Sequence, residues 1–133
     1  MTRQRPSMGF LGRFGRSSDL RQLDDALRAL DLHPNLVAEP VKITIVNLLK
    51  DQAGDRGPAM QDYAKAAEIV AYCMVGPDGF AGANGAAATR KAEARIEAAL
   101  TSGDSLDAQM ILLTLHAGVI QPSVVERFRL EAS

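Results

Sequence analysis

Apolar residues recur at i, i+3, i+4 and i+7 along most of this chain, the spacing of helices with one buried face. The first such stripe is Leu20, Leu23, Ala26, Leu27 and Leu30. Asp24, Asp25 and Arg28 fall on the opposite, wet side. Asp19 with Gln22 three residues on forms a capping-box pattern, so the first helix is expected over about 19–30. Leu32-His33-Pro34 ends it, because the residue before a proline leaves the α region. Pro40 suits the first position of a second helix, with Val41, Ile45, Leu48 and Leu49 as its stripe. The run Val41–Val46 is also β-branched and alternating, but no second segment offers it a strand partner, which leaves helix.

A third helix is predicted from Pro58, carrying Met60, Tyr63, Ala64, Ala67, Val70, Ala71 and Met74, and ending at Gly76-Pro77. A fourth covers about 86–102. Ala92, Ile96, Ala99 and Leu100 face inward there, and Arg90, Lys91, Glu93, Arg95 and Glu97 are solvated. A last short helix, about 123–130, carries Val124, Val125, Phe128 and Leu130.

The stretch from Leu106 to Ile120 is different. From Met110 onward only Thr114 and His116 interrupt the apolar residues, so no polar face is left. A helix apolar nearly all round is expected to be enclosed on most sides. Asp104 or Ser105 can cap its start, and Gly118 is placed to stop it. The fold expected is all-α: a small orthogonal bundle of five to six helices around a buried helix at about 105–117. Residues 18–133 form its single domain, and residues 1–17 precede it as a flexible segment.

Two glycine-containing stretches fall outside this pattern. In residues 1–17, Gly9, Gly12 and Gly15 disfavour helix by about 1 kcal/mol each. Yet Met8, Phe10, Leu11 and Phe14 are large apolar groups that need a surface to rest on. Gly76–Gly85 holds four glycines and a proline around Phe80. It lacks both the Lys-Ser/Thr pair of a phosphate loop and a preceding strand, so it reads as a connector anchored in the core by Phe80.

Composition narrows the picture further. A chain of 133 residues can bury roughly two thirds of its unfolded surface without disulfides or metals. Aromatics make up 5% with no tryptophan, so the core must be aliphatic and rich in alanine. One cysteine cannot form an internal disulfide and fits a reducing, cytoplasmic setting. No apolar run approaches the roughly 18 residues of a membrane span. Net charge is −1, but five arginines stand against Asp19 in residues 1–21, so that segment carries +4 and the remainder −5. The basic, apolar segment is therefore a candidate contact: Phe10, Leu11 and Phe14 as anchors, Arg13 and Arg16 as charge steering, with Phe80 as a second site.

Reactive chemistry finds little support. Cys73 lies among Ala, Tyr and Met, as a small core residue does. His33 and His116 are far apart and neither shares a spacing with it that marks a nucleophile–base pair. No metal-ligand spacing links the histidines or Asp24, Asp25, Asp62 and Glu68, and no cofactor is expected. The expectation is a non-enzymatic interaction or adaptor domain whose partner is a protein or a second copy. An alternative lies at about 110–130. There Thr114, Gly118, Val119 and Val124 fall as in the helix-turn-helix motif, which this stretch resembles and which implies DNA binding by the last helix. The pattern departs at Arg127, where an apolar anchor belongs, and Glu126 and Glu131 dilute the positive face that phosphates require.

Overall fold

The computed structural model describes the backbone of residues 7–130 and the side chains of residues 18–130. Six α-helices follow in order: α1 Ser7–Ala29, α2 Glu39–Ala53, α3 Met60–Asn84, α4 Ala86–Ser102, α5 Leu106–His116 and α6 Pro122–Phe128. Short 3₁₀ turns at Pro34–Leu36 and Gly54–Arg56 flank α2. No strand occurs among the described residues. The run Val41–Val46 is helical; its β-branched residues are tolerated because Val41, Ile45 and Val46 are buried.

The hub of the bundle is α3, where the sequence pattern pointed to α5. Ten residues of α3 are buried, against four of α5, and α3 packs on all five other helices. Tyr63, Ala66, Ala67, Ile69, Val70, Ala71, Tyr72 and Cys73 leave almost no surface to water. Small residues between the two tyrosines let neighbouring helices approach closely. Against this spine lie Leu23 and Leu27 of α1, Ile45 and Leu49 of α2, Ile96 of α4 and Met110 of α5, all fully or nearly fully buried.

Helix α3 does not stop at Gly76-Pro77; it kinks and resumes. Gly76 sits at φ 83°, ψ 171°, a region almost closed to residues with a Cβ. Pro77 then starts a second helical segment that runs to Asn84, so the predicted glycine-rich connector is mostly helix. Proline has no N–H, which frees the Cys73 carbonyl four residues back. The Gln121 N–H takes that carbonyl at 2.8 Å, and the entry to α6 is thereby hydrogen-bonded to the kink. A Cβ on Gly76 would lie 2.9 Å from the Ser123 Oγ, so the two segments are in direct contact. Phe80 is fully buried and meets the Tyr72 ring edge-on, with centroids 5.7 Å apart. It is a core anchor and presents nothing to a partner, which removes it as a contact candidate.

Helix α1 begins at Ser7, not near Asp19, so the backbone of residues 7–17 is continuous with the domain. Phe10 and Phe14 fall at i, i+4 on that helix. The contact roles expected of Phe10, Leu11, Arg13, Phe14 and Arg16 concern side chains outside the described residues. Asp19, now mid-helix, does not cap: its carboxylate accepts from the Tyr63 hydroxyl at 2.9 Å and pairs with Lys50 at 3.0 Å. Other helix ends follow the predicted chemistry. The Ser105 hydroxyl accepts from the Ala108 N–H at 3.1 Å, and α4 spans the residues expected of it.

Candidate binding groove

Helix α5 carries two apolar stripes. Leu106, Met110, Leu113 and Thr114 face the core; Met110 and Thr114 have no exposure. Ala108, Ile111, Leu112 and Leu115, at i, i+3, i+4 and i+7, form the second. They line a half-open groove of about 460 Å³ together with Ala99, Leu100 and Gly103 of α4 and Phe128, Arg129 and Leu130 at the end of α6. Leu100 and Leu112 are each 45% exposed, so the groove opens a leucine-lined surface to solvent. The volume falls within the range of small-ligand and side-chain-binding clefts.

The third wall depends on how α6 is held. Seven residues cannot form a stable helix alone, so tertiary contacts must hold it. Val124 is fully buried, and the Phe128 ring meets Tyr72 edge-on at 6.3 Å. Arg127 bridges to Glu93 of α4 at 3.1 Å, and the other side of that carboxylate oxygen accepts the Tyr72 hydroxyl at 2.6 Å. Burial, then the hydrogen bond to Glu93, pushes the Tyr72 hydroxyl above its ordinary range. At the C-terminus of α6 the Leu130 N–H reaches back to the Val125 carbonyl at 2.9 Å. This Schellman-type closure places Arg129 at φ 55°, ψ 46°. A left-handed conformation costs a residue with a Cβ roughly 1–2 kcal/mol.

The charged cleft beside the groove is organised around one arginine that is already paired. A cleft of about 550 Å³ is lined by Asp62, Lys65, Lys91, Arg95, Ser105 and Asp107. At its centre Arg95 grips both Asp107 oxygens through Nε at 3.1 Å and Nη2 at 2.8 Å. Its Nη1 donates to Glu68, and Nη2 also meets the Lys65 carbonyl at 3.0 Å. Burial weakens the charge of Arg95, but the two carboxylates outweigh it and its pKa rises. Arg95 thus clamps α3, α4 and α5 and keeps little donor capacity for a ligand. Helix α4 was expected to hold Glu93 and Arg95 in solvent. Both are half-buried, because their partners lie 12 to 34 positions away, beyond any within-helix rule.

Comparison with known proteins finds no matching family, no curated relative and no matching solved structure.

Cys73 is fully buried, and burial pushes its thiol up to about 12, an effect the neighbouring Thr114 hydroxyl only partly offsets. His116 is exposed on α5, and exposed His33 accepts the Asn35 N–H on its Nδ1 at 3.1 Å. The thiol has no histidine partner among the described contacts. Among the described residues no group of three or more His, Cys, Asp or Glu is placed to hold a metal ion. No described helix is long and apolar enough to cross a membrane. The α5–turn–α6 segment does form a helical corner, but Arg127 is engaged by Glu93 and Phe128 is turned toward Tyr72.

The groove was half legible. The absence of a polar face on α5 signals unusual apolar surface, and the expected full enclosure holds for only part of it. Separating the stripe of Met110 and Thr114 from that of Ile111, Leu112 and Leu115 would have shown two faces to cover. The remaining helices cover the first fully and the second in part: Ala108 and Ile111 are buried, whereas Leu112 stays 45% exposed.

Proposed function

We propose that this domain is a non-enzymatic interaction module that accepts an apolar helix in the groove between α4, α5 and the end of α6. The observation that carries this reading is the second stripe of α5. Leu112 and Leu115, at i, i+3 on α5, lie beside the buried Ala108 and Ile111 and with Leu100 of α4 form an apolar groove of the kind that takes the apolar face of a helix. The part of Leu100 and Leu112 left to solvent is apolar surface that a partner's apolar face can cover, worth about 25 cal/mol per Å² buried. The floor residues Ala99, Gly103 and Ala108 are small and leave room for side chains from a docked helix. In this proposal the basic, apolar stretch from Phe10 to Arg16 adds a second contact that steers acidic partners.

The test is a nitrogen-15 NMR titration with a stapled amphipathic helix presenting leucines at i, i+3, i+4 and i+7. Shifts should concentrate on the end of α4, on α5 and on residues 128–130. Leu112→Glu should abolish them without lowering the melting temperature, since Leu112 is not part of the core. An unperturbed groove, or shifts confined to other faces, would contradict the proposal.

A further inference from the structure

The partner's polarity can be read from the rim of the same groove, an inference that rests on the interaction proposal above. Arg129 lines the groove, yet among the described residues it makes no ion pair and no side-chain hydrogen bond. Arg28, Arg95 and Arg127 reach carboxylates; Arg21, Arg56 and Arg90 share Arg129's lack of a partner among the described residues, but of these Arg129 alone lines the groove. Arg129 also holds a left-handed backbone conformation (φ 55°) that glycine or asparagine would adopt with less strain. The other such residue, Asp31 at φ 64°, belongs to a type that tolerates this region through its short polar side chain. A long cation at the strained cap, beside an otherwise uncharged apolar lining, has no counter-charge among the described residues. We propose that the groove takes an amphipathic helix bearing an acidic residue next to its leucine stripe, whose carboxylate pairs with Arg129.

A partly exposed pair of this kind is worth up to about 1 kcal/mol, about threefold to fivefold in affinity. Two stapled leucine helices identical except for one Glu or Gln at the rim position would be titrated by fluorescence anisotropy. The proteins would be the full chain, its Arg129→Gln variant and its Arg129→Lys variant. The Glu helix should bind the natural chain about threefold to fivefold more tightly. That preference should vanish in Arg129→Gln, persist in part in Arg129→Lys, and shrink as salt rises. Equal binding of both helices to the natural chain would overturn the Arg129 pairing and leave the groove reading standing. No binding of either helix would overturn both. If sedimentation showed a dimer that Leu112→Glu dissociates, the groove would belong to a second copy of the chain, and the acidic-helix proposal would fall.

Discussion

Replacing Gly76 with alanine tests whether the α3 kink and the α6 strap form one structural unit. The backbone there, φ 83° and ψ 171°, is nearly repeated at Gly85, φ 93° and ψ 163°. A Cβ at Gly85 meets nothing within 4 Å, whereas at Gly76 it would lie 2.9 Å from Ser123 Oγ and 3.6 Å from Gln121 Cγ. Gly85→Ala therefore isolates the backbone strain, about 1–3 kcal/mol for a residue forced into this region. Gly76→Ala adds the displacement of Ser123 and its neighbours. Oγ ends a short flexible side chain, so the clash itself can be relieved by rotation. The added cost comes instead from loosening the Gln121 N–H bond to the Cys73 carbonyl, about 1 kcal/mol for a backbone hydrogen bond whose acceptor stays buried.

The expected losses are about 2 kcal/mol for Gly85→Ala and about 3–4 kcal/mol for Gly76→Ala. Urea denaturation followed by circular dichroism, with both variants and the natural chain fitted to a common slope, reads the difference directly. Adding Ser123→Ala to Gly76→Ala should recover under about 1 kcal/mol, because it removes the clash and leaves the strain. Two equal losses would refute the coupling of kink and strap. A Gly76→Ala variant as stable as the natural chain would refute the assigned backbone geometry itself.

Three further outcomes follow from the polar contacts. Arg95→Ala leaves Glu68 and Asp107 half-buried without their shared cation and should cost about 2–4 kcal/mol in the same denaturation assay, falling toward zero only if the clamp is solvated. Tyr63 is raised to about 12 by burial first and then by its hydrogen bond to Asp19. The folded chain keeps that proton while the unfolded chain releases it near pH 10, so the contribution is intact below pH 10 and declines between about 10 and 12. Tyr63→Phe should flatten that part of a stability–pH curve, and an unchanged slope would argue against the assignment. The Cys73 thiol should resist a disulfide reagent at pH 8 in the native state and react at once in urea, whereas rapid native labelling would contradict its burial.

What the amino-acid order made legible was local. Helix limits marked by Ser105, Gly103 and Pro40 are read from capping and proline chemistry, because those rules act within one turn. Two larger features escaped for opposite reasons. The kink at Gly76-Pro77 carries the same signature as a helix stop; only the distant Gln121, which satisfies the Cys73 carbonyl, lets the helix continue as a spine. Glu93, Arg95 and Asp24 look like solvated charges in their own helices and Asp19 like a helix cap, yet Tyr72, Asp107, Lys42 and Tyr63 draw them inward. Leu100 was assigned to the core by its stripe and instead opens into the groove, since no helix lies on that side to cover it.

The two tyrosines of α3 anchor polar clamps between the helices. Each sits in the spine with its ring in the core and its hydroxyl on a carboxylate that also meets a cation: Tyr63 on Asp19 with Lys50, Tyr72 on Glu93 with Arg127. A carboxylate so paired has its oxygens occupied by a hydroxyl and a cation, the arrangement of a clamp between helices. Arg95 spends its donors in the same way between Glu68 and Asp107. The three clamps join α3 to α1, α2, α4, α5 and α6, and so hold rigid the helices that frame the groove. Rigid walls reduce the ordering cost of association. On the groove proposal, a partner helix would therefore meet walls whose shape is already formed.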